Sequence, residues 1–132
     1  MTTATAGIGS NLVLVDSSGW LEYITLDKNA CAFARYIEGG RPVLVPTIVL
    51  YEVYKKLCQS WGKVEADRFE SHALRRKVVP LDDILAIAAA RNSIAHNLAM
   101  ADAIIYATAL SFSAELVSSD QHFQGLPGVT LL

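Results

Sequence analysis

Four carboxylates stand out by their surroundings. Asp16 follows the apolar run Leu12 to Val15, and Asp120 follows Glu115-Leu116-Val117-Ser118-Ser119. Glu52 sits in the otherwise apolar stretch Val49-Leu50-Tyr51-Glu52-Val53-Tyr54, and Asp102 is the only Asp, Glu, Lys or Arg between Arg91 and Glu115. An isolated acid on an apolar helix is costly to bury unless something pairs with it. Singly, each has an ordinary explanation: an exposed face, a cap, or a salt bridge such as Glu52 with Lys56 four residues on. Jointly, they fall at element ends or on apolar faces directed toward one rim. Carboxylates gathered there repel, and without a cation some take up protons. A hard divalent cation relieves the repulsion, and all-oxygen ligation suits Mg²⁺ or Mn²⁺ better than Zn²⁺. Such an ion polarises a phosphate oxygen and lowers the pKa of a bound water, which is the chemistry of phosphodiester hydrolysis.

The elements that must position these acids are short apolar runs alternating with amphipathic segments. Leu12 to Val15 reads as a buried strand, and Asp16-Ser17-Ser18-Gly19 offers oxygens to cap a following helix. Val43 to Val45 repeats the form between Pro42 and Pro46, with Thr47 as the expected cap. Apolar residues at helical spacing run from Ile48 to Trp61, Gly62 breaks the pattern, and Val64 to Leu74 continues as another helix. Lys77 to Val79 reads as a third strand. Helices follow from Leu81-Asp82-Asp83 to about Ala95 and from Leu98 to Phe112, with strands at Glu115 to Val117 and Val129 to Leu131. Alternation of this kind implies βα units, and therefore a three-layer α/β/α sandwich with a short parallel sheet. In such sheets function gathers just past the carboxyl ends of the strands.

The 132 residues are 52% hydrophobic and 18% charged, enough apolar material for one core and too much for a disordered chain. A single domain over residues 12–132 is expected, with a Thr/Ala/Gly-rich, mobile segment over residues 1–11. No run of about 18 apolar residues is free of charge, so no membrane span is expected. Residues 1–11 carry no Lys or Arg and no long apolar stretch, which argues against a secretory signal and for a cytoplasmic protein. Net charge is −2 and the pI about 5.8, which excludes indiscriminate nucleic-acid binding. The charge is unevenly spread, however: Arg41 to Lys77 carries +4 and the remainder −6. A basic middle with acidic flanks suits a phosphate backbone on one side and a cation on the other, although solvated helix faces give the same count. Lys55, Lys56 and Lys63 are the better phosphate candidates, since they share a helical region with Glu52. Arg75-Arg76-Lys77 abuts a strand and reads equally as an RNA contact or a solvated turn.

Cys31 and Cys58 form no metal-ligand set and read as small core residues. His72, His96 and His122 have no mutual metal spacing. His122 is close enough to Asp120 to touch a substrate, but a partly buried structural role is the favoured reading. Trp20, Tyr23, Tyr51, Tyr54 and Trp61 are base-stacking candidates that, on amphipathic helices, more often face a core or an interface.

Four blocks in order resemble the PIN-domain ribonucleases, and within them the VapC-type toxins of toxin–antitoxin pairs. They are Leu14 to Tyr23, Pro46 to Leu57 around Glu52, Leu98 to Leu110 around Asp102, and Leu116 to Phe123 around Asp120, and the resemblance spans about Leu12 to Leu132. It implies a divalent-metal-dependent endoribonuclease with Asp16, Glu52, Asp102 and Asp120 as its acidic quartet. Asp16, Asp102 and Asp120 would be direct or water-mediated ligands of Mg²⁺ or Mn²⁺. Glu52 would bind a second metal or orient the attacking water. Ser17 and Ser118 stand at positions where the family commonly has supporting hydroxyls, Ser118 replacing the more usual Thr. The resemblance also implies an RNA substrate, a tendency to form homodimers, and a small antitoxin whose C-terminal segment covers the catalytic rim. An antitoxin Arg suits the acidic pocket, and Phe33, Tyr36, Tyr54 and Trp61 are candidates for the groove that would seat the segment. Two alternatives compete. An Asp16-nucleophile phosphotransferase would need an acid at position 18, where the chain has Ser18. A non-catalytic module would use the acids only to accept an arginine-bearing peptide.

Overall fold

The computed structural model describes residues 11–132. The mobile segment expected over residues 1–11 therefore lies, apart from Asn11, outside the described residues. Strand β1 (Val13–Val15) leads into helices α1 (Ser17–Thr25) and α2 (Ala30–Ile37), then strand β2 (Val43–Pro46). Helices α3 (Thr47–Ser60) and α4 (Lys63–Leu74) connect it to β3 (Lys77–Val79). Helices α5 (Asp83–His96) and α6 (Met100–Ser111) lead back to β4 (Glu115–Ser118), a 3-10 turn at Gln121–Phe123 and β5 (Val129–Leu131). All pairings are parallel, in the order β3-β2-β1-β4-β5. No described helix is long and apolar enough to cross a membrane.

The chain moves outward from β1 to β2 and β3, then returns across the sheet to β4 on the other side of β1. Right-handed crossovers in opposite directions put their helices on opposite faces, which yields the expected three-layer α/β/α sandwich. Every residue of β1 and β2, and Leu116 to Ser118 of β4, is buried, because both faces of the sheet are covered. Trp20, Phe33, Phe69 and Phe123 are fully enclosed and fill the space between sheet and helices. The reversal of strand order falls between β1 and β4, the position where doubly wound sheets open a ligand crevice.

Gly19 matters because α1 begins almost in contact with its neighbours. A Cβ at this position would lie 2.5 Å from Phe33 Cε1 and 2.6 Å from Val15 Cγ1. Only glycine lets the helix start so close to the end of β1. Asp82 caps α5 through a bond from the Leu85 N–H, 2.8 Å, as its place before the helix suggests.

Several expectations need correction. Thr47 is the first helical residue rather than the cap, and Pro46, with its preset φ, holds the cap position. Cys31 and Cys58 are both exposed, because each falls on the solvent side of its helix rather than in the core. Phe33 is fully buried against the sheet, so it is lost to any groove. Trp20 is likewise core, whereas Tyr51 and Trp61 are largely exposed.

Candidate functional site

Register brings the acids together. Val15 pairs with Val117, so the residues following each strand are level, and Ser118 Oγ donates to Asp16 Oδ2 at 2.6 Å. The same Ser118 oxygen accepts the Asp120 N–H at 2.8 Å. One hydroxyl thus holds two acids from adjacent strands. Asp16 also caps α1: its Oδ1 accepts the Gly19 N–H at 2.9 Å, and Ser18 Oγ lies 3.0 Å from both carboxylate oxygens. Glu52, in the second turn of α3, accepts from Ser17 Oγ at 2.6 Å and forms no ion pair with Lys56 among the described residues. Asp102 lies in the first turn of α6, where the free N–H groups of the helix favour an anion. Asp120 caps the 3-10 turn, its Oδ1 accepting the His122 N–H at 2.9 Å.

The electrostatics reflect burial first and this crowding second. Burial pushes the Asp16 carboxyl up to about 6; bonds from Ser118, Gly19 and Ser18 resist the rise, and the charge of Asp120 adds to it. Asp102 is raised as well, first by burial and then by the charge of Asp120; the His122 ring opposes the rise and Glu52 adds to it. The influence of Asp120 on Asp16, and of Asp120 and Glu52 on Asp102, ties all four carboxylates into one field. Acids held close to one another at the cost of their own ionisation are the donor set that a hard divalent cation relieves.

His122 is placed differently from the favoured sequence reading. It is not partly buried: three quarters of its side chain is exposed. Its Nδ1 lies 3.2 Å from Asp120 Oδ1 and 3.5 Å from Asp102 Oδ2. Ligand atoms of Asp102, Asp120 and His122 all fall within 4.8 Å of one another, the one such group among the described residues. The carboxylate of Asp16, turned toward its hydroxyl and amide partners, lies outside that group. The sequence places His122 only as a candidate substrate contact and Ser18 only in a capping run, and neither among the site residues. Their signal was proximity alone: each is two residues from an acid at the start of a helical turn.

The candidate phosphate-binding lysines separate. Lys55 and Lys56 line a cleft of about 240 Å³ with Tyr51, Glu52 and Gln59. The Lys55 ammonium is 5.4 Å from the centre of the exposed Tyr51 ring. Lys63 begins α4, past the break at Gly62, and is paired to Asp67 at 2.6 Å. Arg76 donates to the Ile37 carbonyl at 2.8 Å and Arg75 to the Ser71 carbonyl at 3.2 Å, so both have bonds within the fold.

No curated protein matches the chain. Several solved structures share its fold. A toxin–antitoxin complex from Klebsiella pneumoniae aligns with a TM-score of 0.75 and 21% identity, over 89% of this chain and 95% of the other. A sarcin-ricin-loop-cleaving VapC toxin from Mycobacterium tuberculosis aligns at 0.74 and 18%, over 87% and 95%. A DNA-bound VapBC from Salmonella typhimurium aligns at 0.73 and 16%, over 91% and 96%. The family model for the PIN domain matches residues 13–129, from the first residue of β1 to the first of β5 and through all four acids. This chain belongs to the PIN domain family.

Proposed function

We propose that the protein is a divalent-metal-dependent endoribonuclease, the toxin of a toxin–antitoxin pair, acting in the cytoplasm. The observation that carries the reading is the convergence of Asp16, Glu52, Asp102 and Asp120 on the carboxyl ends of β1 and β4 in a PIN domain. The donor set fits Mg²⁺ or Mn²⁺, with Asp102 and Asp120 as ligands and Asp16 beside them, direct or through water. When bound, such an ion polarises the scissile phosphate and supplies a water of lowered pKa.

The residues of the chain do the positioning. Ser118 fixes Asp16 and Asp120 relative to each other, and Ser17 aims Glu52, whose role is to orient the attacking water. Lys55 and Lys56 hold backbone phosphates along the cleft that borders Glu52, and the exposed face of Tyr51 stacks a base. Lys63 contributes less, because Asp67 already neutralises it. An Asp16 nucleophile is disfavoured, since both its oxygens accept hydrogen bonds and the side chain is almost wholly buried.

The likeness to toxin–antitoxin complexes supports a protein partner. A largely apolar hollow of about 350 Å³ between α3 and α4, walled by Leu50, Tyr51, Tyr54, Glu70 and Leu74 over the buried Phe69, would seat an antitoxin segment. An Arg from that segment would bridge carboxylates at the rim and displace the ion. A homodimer is supported by α5, whose exposed Ile84, Ile87 and Ile94 lie on one face, with Met100 exposed nearby in sequence at the start of α6.

The test is mapping of RNA 5′ ends after controlled expression of the wild type and Asp102→Ala. New ends in the wild type alone are expected. Intact RNA from both, including after long incubation of purified wild type with Mn²⁺, would leave the non-catalytic module as the better reading.

A further inference from the structure

His122 occupies an unusual position: largely exposed, yet fixed from both sides. Its backbone N–H is held by Asp120 Oδ1 at 2.9 Å, and the next residue, Phe123, is fully buried and anchors the 3-10 turn. The ring therefore hangs over the acidic site from a rigid attachment. Its Nδ1 lies 3.2 Å from Asp120 Oδ1 and 3.5 Å from Asp102 Oδ2. Ligand atoms each about 2.1 Å from one small cation stand about 3 Å apart along the edge of a coordination octahedron. The two separations from Nδ1 are close to that edge length, and the ligand atoms of all three residues lie within 4.8 Å of one another, within reach of a single ion. The His122 Nδ1 is shared between two carboxylates that come from different elements of the fold.

We propose that His122 Nδ1 is a direct metal ligand beside Asp102 and Asp120, and that it makes the site prefer Mn²⁺ to Mg²⁺. The proposal rests on the nuclease reading only for where the ion acts, since the ligand set stands on geometry. A nitrogen donor changes the chemistry of the site. Mg²⁺ holds oxygen ligands and gives up its waters reluctantly, whereas imidazole nitrogen is a good ligand for transition ions. The all-oxygen quartet expected from sequence would favour neither ion strongly. Two carboxylates and one imidazole, with the remaining positions open to water and phosphate, favour the transition ion.

Pulsed electron paramagnetic resonance of Mn²⁺ bound to the metal-free, full-length protein tests this directly. The wild type should show nitrogen-14 modulation from a coordinated imidazole, and His122→Gln should lose it while remaining folded. Calorimetric titration should show Mn²⁺ binding weakened by about tenfold or more in His122→Gln, and Mg²⁺ binding changed by less than about threefold. Absence of nitrogen coupling in the wild type would overturn the proposal, as would failure to bind Mn²⁺ or equal weakening for both ions. RNA cleavage is scored separately. Cleavage without nitrogen coupling removes the ligand and leaves the nuclease; coupling without cleavage removes the nuclease and leaves the ligand.

Discussion

Asp16→Asn should stabilise the metal-free protein at about pH 8 and do almost nothing at about pH 4. Asp16 is only 3% exposed, and burial raises its carboxyl from 3.8 to about 6. A group whose pKa is higher folded than unfolded favours the native state while it is protonated. For Asp16 that advantage is complete below about pH 4 and is lost as the pH rises through about 6. At about 1.4 kcal/mol per pH unit, the rise corresponds to about 3 kcal/mol of stability missing from the wild type near pH 8. Asparagine keeps the shape without the charge. Its Oδ1 can still accept the Gly19 N–H, and its amide can donate to Ser118 Oγ in place of the present bond. The variant should therefore regain a large part of that energy, on the order of 10 °C in Tm for a domain of this size. Urea unfolding of both proteins in a chelator, from about pH 4 to about pH 8, isolates the effect as a difference. A variant no more stable than the wild type at about pH 8 would refute the claim that the ionised carboxylate is under strain. A gain independent of pH would assign it to packing instead.

Mg²⁺ or Mn²⁺ at about 100 times its Kd should stabilise the wild type by about 2.7 kcal/mol, and a variant lacking both Asp16 and Asp120 should show no thermal shift. Gly19→Ala forces a methyl against Phe33 and Val15. It should cost about 1–3 kcal/mol by urea unfolding and lower RNA cleavage, because the Gly19 N–H that aims Asp16 moves with it. A peptide carrying the antitoxin-type Arg should inhibit cleavage at saturation while its Arg→Ala version should not; undiminished cleavage would exclude blocking of the acidic site. Ser17→Ala should reduce cleavage with little change in Tm, since it frees only Glu52.

Much of the architecture is legible without coordinates, for a local reason. Parallel strands covered on both faces read as unbroken apolar runs such as Leu14-Val15 and Val43-Leu44-Val45, and the helices between them repeat every three to four residues. The ends of those runs are visible too, so Asp16 and Asp120 could be set just past strands and Glu52 on the helix after β2. What local pattern cannot contain is order across the sheet. That β4 lies against β1, bringing Ser118 to Asp16 across 102 positions of sequence, depends on the return crossover through α5 and α6. Facing is decided in the same way. Phe33 and Trp61, or Trp20 and Tyr51, are equivalent as aromatic residues on amphipathic helices, and only the packed neighbours bury the first of each pair and expose the second. His122 is the clearest case. A single 3-10 turn has no period from which to read a direction, and its ring reaches both carboxylates only because Phe123 is buried and α6 brings Asp102 to the same place.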